Sequence, residues 1–261
     1  MSRLWGKSFM WADRLLVSLA PERVALVRLR FNKLISKQNL ESEKPVETLR
    51  STVTAFGKER MRATVVLSNR YLRYAVVPFD PAVSGPEEEL ALARFHFTRL
   101  HGERAKGWDL RLSDGPAGTA RLASAVDAGL VASIRGCFPV GSGVRLVSLQ
   151  PYLMAAHNRW RDAIAREDAW LVLPETEGAC LAYATRAGWQ SARTIKSENG
   201  PVTEHLEREQ LRLGSAPRAA LVPGVPPAAP AGWKLSRLAL PPLEGYSPLD
   251  DGTYGMALCA R

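Results

Sequence analysis

A pattern of three short β-prone segments followed by a helix occurs twice in the sequence, and this recurrence limits the folds open to the chain. The segments are apolar or alternate apolar with polar residues, and each helix starts at a proline, which is favoured in a first helical turn. The first copy has strands at residues 15–20, 24–30 and 33–40 and a helix from Pro45. The second has strands at residues 169–173, 179–185 and 189–195 and a helix from Pro201.

Strands that alternate with helices in this way form α/β units, in which helices cover a mixed sheet. Between the copies, the sequence predicts further strands and helices, including strands at residues 63–67 and 71–79 that are hinged at residues 68–70. We therefore predict an α/β fold with duplicated mixed sheets. Its N-terminal lobe would comprise residues 1–167 and its C-terminal lobe residues 168–261.

The charge of the chain narrows the choice of partners. The net charge is +9, and residues 1–62 hold 13 basic residues against 6 acidic ones, so the first quarter carries most of the surplus. Such a surplus suits an anionic membrane surface or nucleic acid. The basic residues form no dense block with interleaved aromatics, which disfavours a nucleic-acid partner. No apolar segment approaches the roughly 18 residues of a membrane span.

The sequence lacks the local motifs of common catalytic and metal sites. It contains no HExxH, GxSxG, GxxxxGK[ST] or GxGxxG motif, and Cys137, Cys180 and Cys259 form no CxxC pair. We therefore predict no metal site and no catalytic site built from a local motif.

Four stretches, taken in order, resemble one family of proteins. They are LLVSLAPERVALVRL at residues 15–29, after a basic leader at residues 1–7, TVVLSNRYLRYAVVP at 64–78, EEELALARFH at 87–96 and TYGMALCAR at 253–261. They are similar to the two hairpins, the following helix and the closing helix of the PilM family of type IV pilus assembly proteins. The cytoplasmic part of the type II secretion protein GspL is a related relative. The resemblance implies an actin-like (ribonuclease H-like) two-lobe fold with reduced insertion subdomains.

The resemblance also indicates where a nucleotide would bind, and those positions are altered. Nucleotide-binding members have Asp-x-Gly and then Lys in the first phosphate loop, where this chain has Ser18, Ala20 and Ala25. The second loop, at residues 173–178, also lacks Asp-x-Gly, and the adenosine-side Gly-Gly is reduced to Pro223-Gly224. Losing the Asp removes a carboxylate that organises Mg²⁺, and losing the Gly adds a Cβ where backbone approaches phosphate. We predict that Ser18, Ala20, Ala25 and Gly224 mark a degenerate, vacant nucleotide site and that the chain uses no cofactor.

By resemblance, the chain is a non-catalytic scaffold, cytoplasmic and peripheral to the inner membrane, in a type IV pilus or type II-like secretion platform. It would bind the cytoplasmic tail of a PilN-like membrane protein and, with other platform proteins, link it to the assembly ATPase. Two alternatives stay open. One is a residual ATPase or phosphotransferase of the same fold, for which Asp13 and Glu175 are the nearest carboxylates. The other is a basic nucleic-acid-binding module.

Overall fold

A computed structural model describes residues 13–83, 85–214, 216–224, 226–247 and 252–261. The basic leader at residues 1–7, which forms part of the family resemblance, lies outside the described residues. Within the described residues, no helix is both long and apolar enough to cross a membrane.

Strands and helices alternate along the chain as the sequence predicts. The strands are β1 (Asp13–Ala20), β2 (Arg23–Arg30), β3 (Lys33–Glu41), β4 (Met61–Leu67), β5 (Leu72–Val77), β6 (Trp108–Leu112), β7 (Arg121–Asp127), β8 (Val144–Pro151), β9 (Trp170–Glu175), β10 (Gly178–Thr185), β11 (Gly188–Lys196), β12 (Ala219–Pro223) and β13 (Lys234–Leu238). The helices are α1 (Pro45–Ala55), α2 (Pro86–His101), α3 (Ala128–Arg135), α4 (Tyr152–Glu167), α5 (Val202–Leu213) and α6 (Gly255–Leu258). Both predicted β-β-β-α patterns are present, as β1–β3 with α1 and as β9–β11 with α5.

The backbone divides into two compact units. Unit 1 is drawn from Met1–Leu67, Ala132–Gln150 and Pro241–Arg261, and unit 2 from Ser68–Val131 and Pro151–Leu240. Each unit therefore combines segments that are distant in sequence. The predicted lobe boundary between residues 167 and 168 does not separate these units, and it stays a prediction.

Each unit contains a five-stranded sheet, and the two sheets have the same strand order. The order is β3-β2-β1-β4-β8 in unit 1 and β11-β10-β9-β12-β13 in unit 2. In each sheet the first strand of the β-β-β-α pattern pairs antiparallel with the second strand and parallel with the strand that follows the helix. The duplication predicted from the sequence is thus confirmed in the topology.

The apolar runs that predicted the strands lie in the cores of the units. In unit 1, β1 is central, and Leu15, Leu16 and Val17 are fully buried. Unbroken apolar runs of this kind are typical of a strand that is covered on both faces. In unit 2, Trp170, Leu181, Leu206 and Trp233 form one core cluster between the sheet and α5. Burying each such side chain stabilises the fold by about 1.5–3 kcal/mol.

Unit 2 also holds a small antiparallel sheet of order β5-β7-β6, covered by α2. Phe97 of α2 and Leu110 of β6 are buried in the cluster between them. This sheet lies between β4 and β9 in sequence, so it is an insertion relative to the duplicated pattern. Its small size agrees with the predicted reduction of the insertion subdomains.

Candidate functional site

The first candidate site is the turn between β1 and β2 in unit 1, where the first phosphate loop is expected. The register pairs Ala20 with Arg23, so the turn has only two residues, Pro21 and Glu22. Pro21 has no backbone N–H, and so short a turn leaves no row of N–H groups to surround a phosphate. Glu22 adds a carboxyl group where a phosphate would bring further negative charge. This turn is therefore poorly suited to a nucleotide.

The other two altered positions of this hairpin, Ser18 and Ala25, lie opposite each other in β1 and β2. Ser18 is 3% exposed and Ala25 is fully buried, because the paired strands are covered on both faces. In this structure both residues pack in the core of the sheet, and neither side chain reaches a surface at which a ligand could bind.

The second candidate site is the turn between β9 and β10 in unit 2. The register pairs Glu175 with Gly178, so this turn also has two residues, Thr176 and Glu177. A Cβ at Gly178 would lie 2.0 Å from the carbonyl oxygen of Ile195 in β11. The glycine is thus required for the close approach of β11, and it does not indicate a phosphate cradle.

The third candidate position, Gly224, follows β12 directly. It is exposed and has a φ of +80°, a backbone conformation that glycine adopts without strain. Its N–H donates to the carbonyl oxygen of Leu238 at 3.4 Å. A bend at the end of β12, held by this hydrogen bond to β13, therefore accounts for the glycine. Its assignment to a nucleotide site, like those of Ser18, Ala20 and Ala25, stays a prediction.

Asp13, one of the two carboxylates considered for catalysis, is committed to ion pairs inside unit 1. Its side chain is 4% exposed, and it accepts hydrogen bonds from Nε of Arg28 at 2.6 Å and Nε of Arg30 at 2.7 Å. The hydrogen bond from Arg30 is the main cause that lowers the pKa of Asp13, against the opposing effect of burial. At about 3.3 Å per residue along a strand, Asp13 lies about 17 Å from Ser18. It therefore cannot serve the first phosphate loop.

Glu175, the other carboxylate, is held by the segment between β4 and β5. Its Oε1 accepts from the backbone N–H of Asn69 at 3.1 Å and from Nδ2 of Asn69 at 2.8 Å. Its Oε2 accepts from the hydroxyl of Ser68. Both carboxylate oxygens thus have partners within unit 2. Burial raises the pKa of Glu175, which disfavours the ionised form that Mg²⁺ requires.

Asn69 is the centre of this network and is fully buried. Its Oδ1 accepts from the hydroxyl of Tyr74 at 2.7 Å and from the N–H of Leu153 in the first turn of α4 at 3.0 Å. The second bond satisfies a helix N–H that the preceding Pro151 has no side-chain group to cap. The carbonyl oxygen of Asn69 accepts from Thr194 in β11 at 3.4 Å. One asparagine therefore connects the small sheet, the large sheet and α4 of unit 2.

Two further groups beside Glu175 have perturbed acidities. Burial raises the pKa of Tyr74 well above its ordinary value, and Cys180 and Glu175, where they are ionised, raise it further. Burial also raises the pKa of the Cys180 thiol. These groups are neutral at neutral pH, so the network is a set of hydrogen bonds with no reactive nucleophile.

Ser68 and Asn69 were predicted only as part of a hinge between strands, and their role in this network was not predicted. Both are fully buried, and residues 69–71 form a 3-10 turn. The one available signal was a pair of small polar residues between two strongly apolar strands. Within the described residues, no group of three His, Cys, Asp or Glu side chains is positioned to hold a metal ion.

Duplicated sheets of this strand order define the class of the protein, an α/β protein with the actin-like fold. The chain is similar to the cytoplasmic domain of EpsL, an inner-membrane component of the type II secretion system of Vibrio cholerae, with a TM-score of 0.62 at 10% identity over 95% of this chain and 93% of that one. It is equally similar to a chain of the PilM–PilN type IV pilus biogenesis complex, with a TM-score of 0.62 at 14% identity over 95% and 96% of the two chains.

A third similar structure is a Bacteroides thetaiotaomicron protein of unknown function with an actin-like ATPase fold. Its TM-score is 0.57 at 8% identity over 83% of this chain and 84% of that one. No protein-family profile and no curated protein sequence matches the chain. The predicted actin-like fold is therefore confirmed, and so is the resemblance to PilM and to a type II secretion cytoplasmic domain at the level of the fold.

Proposed function

We propose that this chain is a non-catalytic, actin-like scaffold of a type IV pilus or type II-like secretion platform, located at the cytoplasmic face of the inner membrane. The proposal rests mainly on the length and composition of two turns, which correspond to the turns at which an actin-like ATPase holds its phosphates. Each turn has two residues and contains a glutamate. The carboxylates considered for catalysis, Asp13 and Glu175, are bound by internal partners.

The nature of the partner is proposed from the structural neighbours. One neighbour belongs to a PilM–PilN complex, and the other is the cytoplasmic domain of an inner-membrane secretion component. By analogy, this chain binds the cytoplasmic tail of a PilN-like membrane protein and, with other platform proteins, links that tail to the assembly ATPase. A fold shared with an ATPase does not by itself supply catalysis, because activity depends on the residues of the site.

The scaffold proposal predicts that nucleotide does not stabilise the protein. Millimolar ATP with Mg²⁺ should leave the melting temperature unchanged, because neither turn offers a phosphate cradle. A ligand at 100 times its Kd stabilises a native protein by about 2.7 kcal/mol, which corresponds to about 5–10 °C for a chain of this size. The measurement is a thermal melt with ATP, ADP or Mg²⁺ alone, with a nucleotide-binding protein of the actin-like fold as positive control. An upward shift of several degrees with ATP would favour the residual ATPase.

The proposal also predicts direct binding to a PilN-like tail. A synthetic peptide of the cytoplasmic tail from a PilN-like protein of the same organism should bind the full chain in lipid-free solution, as measured by isothermal titration calorimetry. A peptide of the same composition in scrambled order should not bind. Because no metal or nucleotide takes part, EDTA and Mg·ATP should leave the affinity unchanged. Absence of binding by the intact tail would refute the proposed partner.

A further inference from the structure

One end of the unit 1 sheet is bounded by the starts of β1, β4 and β8 and by the turn between β2 and β3. Asp13 of β1 lies opposite Met61 of β4, and the N–H of Met61 donates to the carbonyl oxygen of Gly143, directly before β8, at 3.0 Å. The turn between Arg30 and Lys33 closes the hairpin at this same end. We call this region the basic end.

Six exposed basic side chains lie at the basic end. They are Arg14, Arg30, Lys58, Arg60, Arg62 and Arg145. Arg14 and Arg62 lie directly opposite each other in the parallel pair of β1 and β4. Like charges in that position destabilise a strand pair. Burial is the main cause that lowers the pKa of Arg14, and the charges of Arg261 and Arg62 lower it further.

The acidic residues at this end do not cancel the positive charge. Asp13 and Glu59 both pair with Arg28, and Asp13 also pairs with Arg30. Glu244 pairs with Lys33. The remaining basic side chains around them give the end a positive potential, which attracts anions.

Two large apolar side chains project from turns at the same end. Phe31 is 69% exposed, and the side chain of Val140 is fully exposed. Phe31 has a φ of +46° and Asn32 a φ of +67°, in a hairpin turn that favours Asn or Gly at both positions. A bulky residue is strained there, so the turn keeps a phenyl ring in water at a cost to stability.

We propose that the basic end is a docking surface for an anionic phospholipid bilayer. Its arginines and lysines would lie at the level of the lipid phosphates, while Phe31 and Val140 would enter the interfacial layer. The sequence agrees with this placement, because the residues before Asp13 include Arg3, Lys7 and three aromatic residues, Trp5, Phe9 and Trp11. The inference rests on the proposed function, since it places the scaffold against the membrane that holds its partner.

The test compares two variants with equal losses of charge and of aromatic side chains. The docking variant carries Phe31→Asn, Lys58→Gln, Arg60→Gln and Arg62→Gln. The control variant carries Phe95→Ser, Arg94→Gln, Arg99→Gln and Arg104→Gln, all at exposed positions in or just after α2 of unit 2. Binding of the full chain to vesicles of phosphatidylcholine, with or without phosphatidylglycerol, is measured by co-sedimentation.

The wild-type chain and the control variant should bind the anionic vesicles, more weakly at high salt, and should not bind phosphatidylcholine alone. The docking variant should lose about fivefold in partitioning for each basic residue removed, so about a hundredfold in all. Its melting temperature should not fall, because Asn suits the positive φ at position 31. A folded docking variant that binds as the wild type does would overturn the proposal, as would an equal loss in the control variant.

Two further measurements separate the competing explanations. A short single-stranded oligonucleotide that binds the wild-type chain as tightly as the anionic vesicles would make nucleic acid the partner and overturn the proposal. Binding of the PilN-like tail is measured without lipid, so vesicle binding can fail while the proposed function holds. The converse result, vesicle binding without tail binding, would refute the proposed partner and leave the docking surface in place.

Discussion

Replacing Glu175 with alanine should lower the free energy of unfolding by about 3–5 kcal/mol, because it removes the acceptor of a buried network. The hydroxyl of Ser68, the backbone N–H of Asn69 and the Nδ2 of Asn69 would all lose their partner in unit 2. Asn69 also satisfies the start of α4 through Leu153, so the loss extends beyond the turn itself. The measurement is urea unfolding of the wild-type and variant chains followed by circular dichroism.

Two matched variants make this result specific to the buried carboxylate. Glu175→Gln keeps a carbonyl oxygen that can accept from Asn69, so it should cost only about 1 kcal/mol. Glu177→Ala, two residues further on, removes an exposed surface pair with Arg70 and should cost about 1 kcal/mol or less. If Glu175→Ala costs no more than Glu177→Ala, the network is not the structural element that the contacts indicate.

The same carboxylate gives a pH signature with a defined sign. Burial raises the pKa of Glu175 in the native state above its value in the unfolded chain. Between those two values the native state still holds a proton that the unfolded state has released, so this group's contribution to stability is lost as pH rises through the interval. The difference in unfolding free energy between the wild-type chain and Glu175→Gln should therefore decline with rising pH across that interval. A difference that increases with pH would contradict the assigned direction.

The fold was predictable because its main signals are local. Apolar runs at residues 15–20 and 169–173 predicted the central strands β1 and β9, and their recurrence predicted the duplicated sheet. Two-residue turns also fix a register: pairing Ala20 with Arg23 sets Asp13 opposite Arg30, so this ion pair follows from the hairpin alone. The sequence did not predict which segments make up each compact unit, because each unit joins segments that only long-range pairing brings together.

The buried network was beyond sequence reasoning for the same physical reason. Ser68 and Asn69 meet Glu175 across more than 100 residues of chain, and hydrogen bonds at such separation leave no periodic pattern. A small polar pair between strands is equally typical of an exposed turn. The structure shows that Ser68 and Asn69 are buried, so that their polar atoms need partners, and this identifies the pair as part of the network.

Replacing Asp13 with asparagine is the corresponding test in unit 1 and should cost about 3–5 kcal/mol, because it leaves Arg28 without its main buried counter-charge. The hydrogen bond from Arg30 lowers the pKa of Asp13, so its contribution to stability is present above the ordinary aspartate pKa and is lost as pH falls through the lowered value. The loss of stability in the variant should therefore be large at neutral pH and small in acid, as measured by urea unfolding.

The control is Glu41→Gln, which removes an exposed ion pair with Arg23 on neighbouring strands of the same sheet. This variant should lose less than about 1 kcal/mol of stability at either pH. An Asp13→Asn variant as stable as the wild-type chain would show that the ion pairs of Asp13 do not have the structural role that the contacts indicate.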